Sequence, residues 1–111
     1  MLKPGRYDLL SYCHHAGQCP FDEWIADLDF RTRQRILERV ARMKNGQFGD
    51  YKKIDQQLYE LRLFFGPGYR VYFGERRGAI IVLLTGGDKS SQNRDIKQTK
   101  EYWKLYQEEN P

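Results

Sequence analysis

The spacing of apolar residues changes along the chain, from a helical period in the first half to a strand period in the second. Ile36, Leu37, Val40, Ala41 and Met43 or Lys44 recur at helical intervals, so an apolar stripe is expected opposite the arginines of that segment. Asp29 suits the start of this helix as its N-cap, and Asn45-Gly46 supplies the left-handed chemistry that ends it. A shorter helix is expected over Phe21 to Leu28, with Pro20 as its first residue because the missing N–H would be unpaired there anyway. From Gln57 to Phe65 the period becomes two, with Leu58, Glu60, Arg62 and Phe64 on one face and Tyr59, Leu61, Leu63 and Phe65 on the other. Gly66-Pro67-Gly68 and Arg76-Arg77-Gly78 turn the chain into two further strands, Tyr69 to Glu75 and the more apolar Ala79 to Thr85. Gly86-Gly87-Asp88-Lys89-Ser90 is expected to leave the sheet. A last helix then begins at Ser90 or Ser91, with Ile96, Thr99, Trp103 and Tyr106 on one face. With a strand over Arg6 to Tyr12, the order is βααβββα. The class is α+β, a small antiparallel sheet with two N-terminal helices and a C-terminal helix.

At 111 residues the chain fits a single domain spanning residues 1–111. That size supports an ordinary core without metal or disulfide staples. The longest apolar run, Ala79 to Leu84, is far too short to span a bilayer, and the first residues carry no export signal. A cytoplasmic protein without membrane association is expected, and two cysteines in such a compartment give no reason to expect a disulfide. Cys13, His14, His15 and Cys19 share one loop, but three of them are consecutive, whereas structural zinc sites space their ligand pairs. No metal or other cofactor is expected. The glycine pairs lack the spacing of phosphate loops, and nothing resembles a hydrolase triad.

Charge adds a direction to this picture. The net charge is +4 overall, yet residues 31–44 hold Arg31, Arg33, Arg35, Arg39, Arg42 and Lys44 against Glu38 alone, a net of +5. Such a block is either a solvated helix face or a surface for an anionic partner. In the sheet half, Arg62 and Arg70 are eight residues apart across a short hairpin, a separation that puts them near one another on one face if the turn allows it. Arginines within apolar strands are costly unless paired or solvated. They either pair with Glu60, Glu75 or a carbonyl, or they form a cationic groove for a phosphodiester. Tyr51, Tyr59, Tyr69 and Tyr72 are then candidates to stack on unpaired bases.

Several words of the sequence occur together in one known group. Phe21-Asp22-Glu23-Trp24, Gly46-Gln47-Phe48-Gly49-Asp50, Glu60-Leu61-Arg62, Phe65-Gly66-Pro67-Gly68-Tyr69-Arg70-Val71-Tyr72-Phe73 and Leu83-Leu84-Thr85-Gly86-Gly87-Asp88-Lys89-Ser90-Ser91-Gln92 stand in order, with Asp95-Ile96 after them. Over roughly residues 20–106 the chain resembles the addiction-module killer proteins, toxins of the RelE/ParE superfamily close to its HigB-like branch. The resemblance implies a toxin of a type II toxin–antitoxin system that cuts mRNA at the ribosome and is neutralised by a cognate antitoxin. It also implies that the RNA 2′-hydroxyl attacks the adjacent phosphate, so no protein nucleophile is needed. By this resemblance Arg62 and Arg70 bind phosphate and stabilise transition-state charge. Lys89 and Tyr69 are further catalytic candidates, and Lys52, Lys53, Arg31, Arg35 and Arg39 are candidates for RNA binding. The sheet half lacks the histidine of some ribonuclease toxins, so a lysine or tyrosine would need a pKa shifted toward neutrality. The alternatives are a ParE-like toxin that binds DNA gyrase without catalysis, or a non-toxic interaction module.

Overall fold

A computed structural model describes residues 2–111. The chain runs through β1 (Asp8–Ser11), α1 (Pro20–Ala26), α2 (Phe30–Arg42), β2 (Tyr51–Asp55), β3 (Leu58–Leu63), β4 (Tyr69–Arg76), β5 (Ile80–Asp88) and α3 (Gln92–Glu109). Single 3₁₀ turns follow α2 and precede α3. The five strands lie in the order β1-β5-β4-β3-β2. All neighbours are antiparallel except β1, which runs parallel to β5 with Asp8 opposite Ile80 and Ser11 opposite Leu83.

Local chemistry accounts for the helix ends. Pro20 opens α1, and Asp22 and Glu23 in its first turn face the positive end of the helix. Asp29 caps α2, its carboxylate accepting the Thr32 N–H at 3.2 Å. Hydrogen bonding from the Thr32 side chain, and then from this N–H, holds the Asp29 carboxyl below its ordinary pKa. Arg39 and Arg42 complement the other end. The following turn stops at Gly46, whose φ of 74° is left-handed.

The apolar stripe of α2 is narrower than its periodicity implies. Ile36, Val40 and Met43 are buried, whereas Leu37 and Ala41 face outward. Arg39 fills the flank instead. Its guanidinium donates to the carbonyls of Arg62 (3.0 Å), Phe48 (3.1 Å) and Asp50 (3.0 Å), fastening the helix to the sheet. Partial burial pulls the pKa of this guanidinium down.

Two other features differ from the sequence reading. A strand not expected there, β2, pairs with β3 across a two-residue turn in which Gln57 has a φ of 64°. Its residues, Tyr-Lys-Lys-Ile-Asp, are mostly exposed, and its lysines occupy the sheet edge, where charge discourages pairing with other chains. β5 does not end at Thr85 but continues through Gly86-Gly87 to Asp88. A Cβ on Gly86 would collide with the Trp24 ring and one on Gly87 with the Asp95 carboxylate. The glycines therefore keep the strand in the sheet while both faces are closely covered.

The sheet separates two cores. Toward α1 and α2, Phe21, Ile25, Ile36, Val40 and Met43 meet Tyr59, Leu61, Leu63, Val71, Phe73, Ile81 and Leu83. Phe48, Phe73 and Tyr59 form a continuous aromatic stack, with centroid separations of 6.0 and 5.5 Å. Toward α3, Leu58, Val82 and Leu84 meet Trp103, Tyr106 and Tyr12. The buried face of α3 is Asp95, Thr99, Trp103 and Tyr106, so Asp95 takes the place expected of Ile96, which is only half-buried.

The β1–α1 loop corrects a further expectation, because Cys13 and Cys19 form a disulfide. The His14 N–H donates to the Gln18 carbonyl (2.7 Å) and the Gly17 N–H to the His14 carbonyl (2.8 Å). This miniature hairpin sets the flanking cysteines opposite one another, with Cα atoms 4.0 Å apart. Compartment, rather than loop geometry, had argued against the bond.

Candidate functional site

On the α3 side, the sheet changes character between its middle and the β3–β4 hairpin. Lys52, Glu60, Tyr72 and Thr85 lie side by side across β2 to β5. The next rung holds Arg62 opposite Arg70, and Arg70 opposite Gly87. The hairpin thus brings the two arginines into direct register. Like charges at such positions repel, and here each has its own carboxylate. Arg62 Nε lies 3.2 Å from Asp50 Oδ2, and Arg70 Nε lies 3.6 Å from Glu60 Oε1.

Glu60 and Arg70 are 1% and 7% exposed. Glu60 Oε2 accepts from Gln92 Nε2 at 2.7 Å, which ties the strand carboxylate to the first residue of α3. Asp95 accepts from the Ser91 hydroxyl just above Gly87. This network is incompletely satisfied. Arg70 Nη1 and the Tyr72 hydroxyl are buried without a hydrogen-bond partner among the described residues. Burial, and then the charge of Glu60, raise the pKa of Tyr72, so its phenol stays protonated. A buried guanidinium with an idle N–H group is held in place yet retains donor capacity toward an anion.

Lys89 stands at the edge of this cluster. A Cβ on Gly68 would lie 3.5 Å from Lys89 Cβ and 3.9 Å from Arg70 Nη1, so the lysine stem and the arginine head flank the same glycine. Lys52 joins them from the exposed strand β2. Arg62, Arg70, Lys52 and Lys89 therefore share one end of the α3-side face, with Asp50 and Glu60 among them.

The other candidates lie elsewhere. Tyr69 is on the opposite face of β4, packed against Trp24 and Phe65, because adjacent strand residues point to opposite sides. Lys53, opposite Tyr59, is also on the α1/α2 side. Arg31 and Arg35 belong to α2 on that side, and Arg39 is occupied with carbonyl groups. Of the tyrosines named as stacking groups, Tyr59 and Tyr72 are buried, and Tyr51 and Tyr69 are half-buried. The sequence reading offered Glu60 as a pairing partner for the arginines, as found for Arg70, but missed Asp50, Gln92 and Asp95 as parts of the cluster. An acidic residue two positions before Arg62 on the same strand face was the available signal for Glu60. Nothing comparable pointed to Gln92 and Asp95.

Fold and site together define a class: a small α+β domain of RelE/ParE-like topology, with Lys52, Arg62, Arg70 and Lys89 gathered at one end of the sheet. The fold is compatible with a small ribonuclease-like toxin domain. An uncharacterized protein of Haemophilus influenzae is 44% identical over 81 residues, covering 72% of this chain and 82% of the relative. The chain belongs to the same family as that protein. No family model matches the sequence. Among the described residues, no helix is long and apolar enough to cross a membrane.

Proposed function

We propose that the protein is a HigB-like toxin of the RelE/ParE superfamily, an mRNA endoribonuclease that arrests growth and is held in check by a cognate antitoxin. The observation that carries this reading is the direct register of Arg62 and Arg70, with Lys89 beside them. In this mechanism the RNA supplies its own nucleophile: the 2′-hydroxyl loses its proton and bonds to the adjacent phosphorus, the P–O5′ bond breaks, and the leaving 5′-oxygen takes up a proton, giving a 2′,3′-cyclic phosphate and a 5′-hydroxyl. The protein holds that hydroxyl in line and stabilises the charge that builds on the phosphorane. Arg62 and Arg70 receive the non-bridging oxygens. Lys89 and Lys52 are the remaining groups for proton transfer and phosphate contact, while the protonated, buried Tyr72 is fixed scaffolding. The ribosome presents the mRNA, and the protein acts in the cytoplasm, a reducing compartment in which the Cys13–Cys19 bond would be open.

Induced expression in bacteria, with transcript ends and DNA integrity followed in one culture, tests this reading. Growth arrest with new codon-phased mRNA ends is the expected result, and Arg62→Ala combined with Arg70→Ala should abolish both. A non-catalytic gyrase-binding toxin is the second reading. It is favoured by the carboxylate partner of each arginine and by the lack of a histidine in the sheet half. Arrest with broken DNA and intact transcripts would establish it and remove the catalytic roles.

A further inference from the structure

Phe64 is 72% exposed, more than any other large apolar side chain among the described residues. It follows the end of β3 on the same face as Arg62, whose Cζ lies 5.5 Å from the centre of the Phe64 ring. Around the strand end, residues 63–65 meet Arg35, Glu38, Arg39 and Arg42 of α2 in a groove of about 230 Å³. There Arg35 covers the neighbouring ring of Phe65, its Cζ 3.8 Å from the centroid. Arg35 and Arg42 form no ion pair among the described residues. Phe64 is thus an open aromatic face between two sets of guanidinium groups. It links the Arg62 end of the sheet to the basic helix on the other side.

A protein partner would need contiguous apolar surface here, and the chain neighbours of Phe64 do not extend it. Leu63 is buried and the Phe65 ring is capped by Arg35. Alternating cation and isolated aromatic ring instead match the alternating phosphate and base of a single strand, where every base offers a π-face. We infer that Phe64 is the platform on which an unpaired base of the bound RNA stacks. Arg62 receives the backbone on one side of that base, and Arg35 with Arg42 on the other. The inference rests on the RNA reading above and adds a recognition residue to it.

The test is binding of a 2′-O-methyl RNA dodecamer, which cannot attack its own phosphates, measured by fluorescence anisotropy across a salt series. Wild type, Phe64→Ala and Phe64→Trp are compared after thermal melts show that all three are equally folded. Phe64→Ala should weaken binding about tenfold or more without changing the salt slope. Phe64→Trp should retain affinity, with its added indole fluorescence quenched by the oligonucleotide. Wild-type binding that Phe64→Ala leaves unchanged would overturn the stacking role while leaving the RNA reading intact. Absence of RNA binding by the wild type, with Phe64-dependent binding of an acidic peptide instead, would overturn both.

Discussion

The two faces of the sheet are built on different principles. Facing α1 and α2, the strands present Tyr59, Leu61, Leu63, Val71, Phe73, Ile81 and Leu83, and the helices close over them with apolar side chains. Facing α3, an apolar half around Trp103 and Tyr106 gives way to Glu60, Arg70, Tyr72 and Asp95, buried with some donors idle. Apolar burial contributes roughly 1.5–3 kcal/mol per large side chain, whereas a buried ion pair often contributes nothing net against apolar residues of the same shape. One face therefore holds the fold together. The other spends part of its burial on placing charge.

The sharpest way to break this contrast is to remove one partner of the buried pair. Glu60→Ala leaves Arg70 uncompensated and should destabilise the protein by about 3–5 kcal/mol in urea unfolding. Phe73→Ala on the apolar face should cost a similar ~3–5 kcal/mol, by loss of packing at the centre of its aromatic stack. The double change Glu60→Met with Arg70→Met separates the two cases. It should leave stability unchanged or raise it by about 1–4 kcal/mol while abolishing RNA binding. If the double variant is as unstable as Glu60→Ala, the polar pair is structural and the contrast fails.

A smaller effect is expected from the loop at the end of β1. Opening the Cys13–Cys19 disulfide with reductant, or replacing both cysteines by serine, should lower stability by about 2 kcal/mol, as loop-closure entropy gives for so short a ring. Matching unfolding curves with and without dithiothreitol would show that the backbone hydrogen bonds of this loop already hold it. The smallest effect concerns the caps. The Asp29 and Asp88 carboxyls are held below their ordinary value of 3.8 by hydrogen bonds from Thr32 and Ser90. Their stabilisation is full above that value and is lost as pH falls through the lowered native values. An acid titration followed by circular dichroism should show Asp29→Asn and Asp88→Asn differing from wild type in neutral solution and converging with it at the acid end.

Where one residue type enforces one local geometry, the sequence was a sufficient guide. Pro20, Asp29 and Gly46 mark helix ends by covalent and hydrogen-bonding constraints that need no tertiary context. The eight-residue spacing of Arg62 and Arg70 also carried their register, because antiparallel pairing around a short turn leaves few choices. Features decided by contacts from distant segments were not legible. β2 carries exposed lysines and becomes a strand only because β3 offers an edge. Gly86-Gly87 resembles a break until Trp24 and Asp95 are seen to need the space. Of the site, the arginines and the Glu60 beside them could be read, but not Asp95, since nothing local distinguishes it from Ile96 as the residue that turns inward. Phe64 belonged to an alternating pattern and was indistinguishable from a core residue until the helices were in place.

The parallel pairing of β1 with β5 bears on how the chain is made. β2 through β5 are joined by short turns and can zip together as they emerge. β1 is synthesised first, yet its strand partner, residues 80–83, comes roughly 70 residues later. At ordinary translation speeds of 5–20 residues per second, that interval is about 4–14 s. Throughout it, Leu9 lacks the core it packs against, and β5 has not yet been made. A nascent chain is thus without its completed sheet, and without Lys89, until most of its message has been read. This delay separates synthesis from completion of the fold and leaves a period in which β1 waits unpaired.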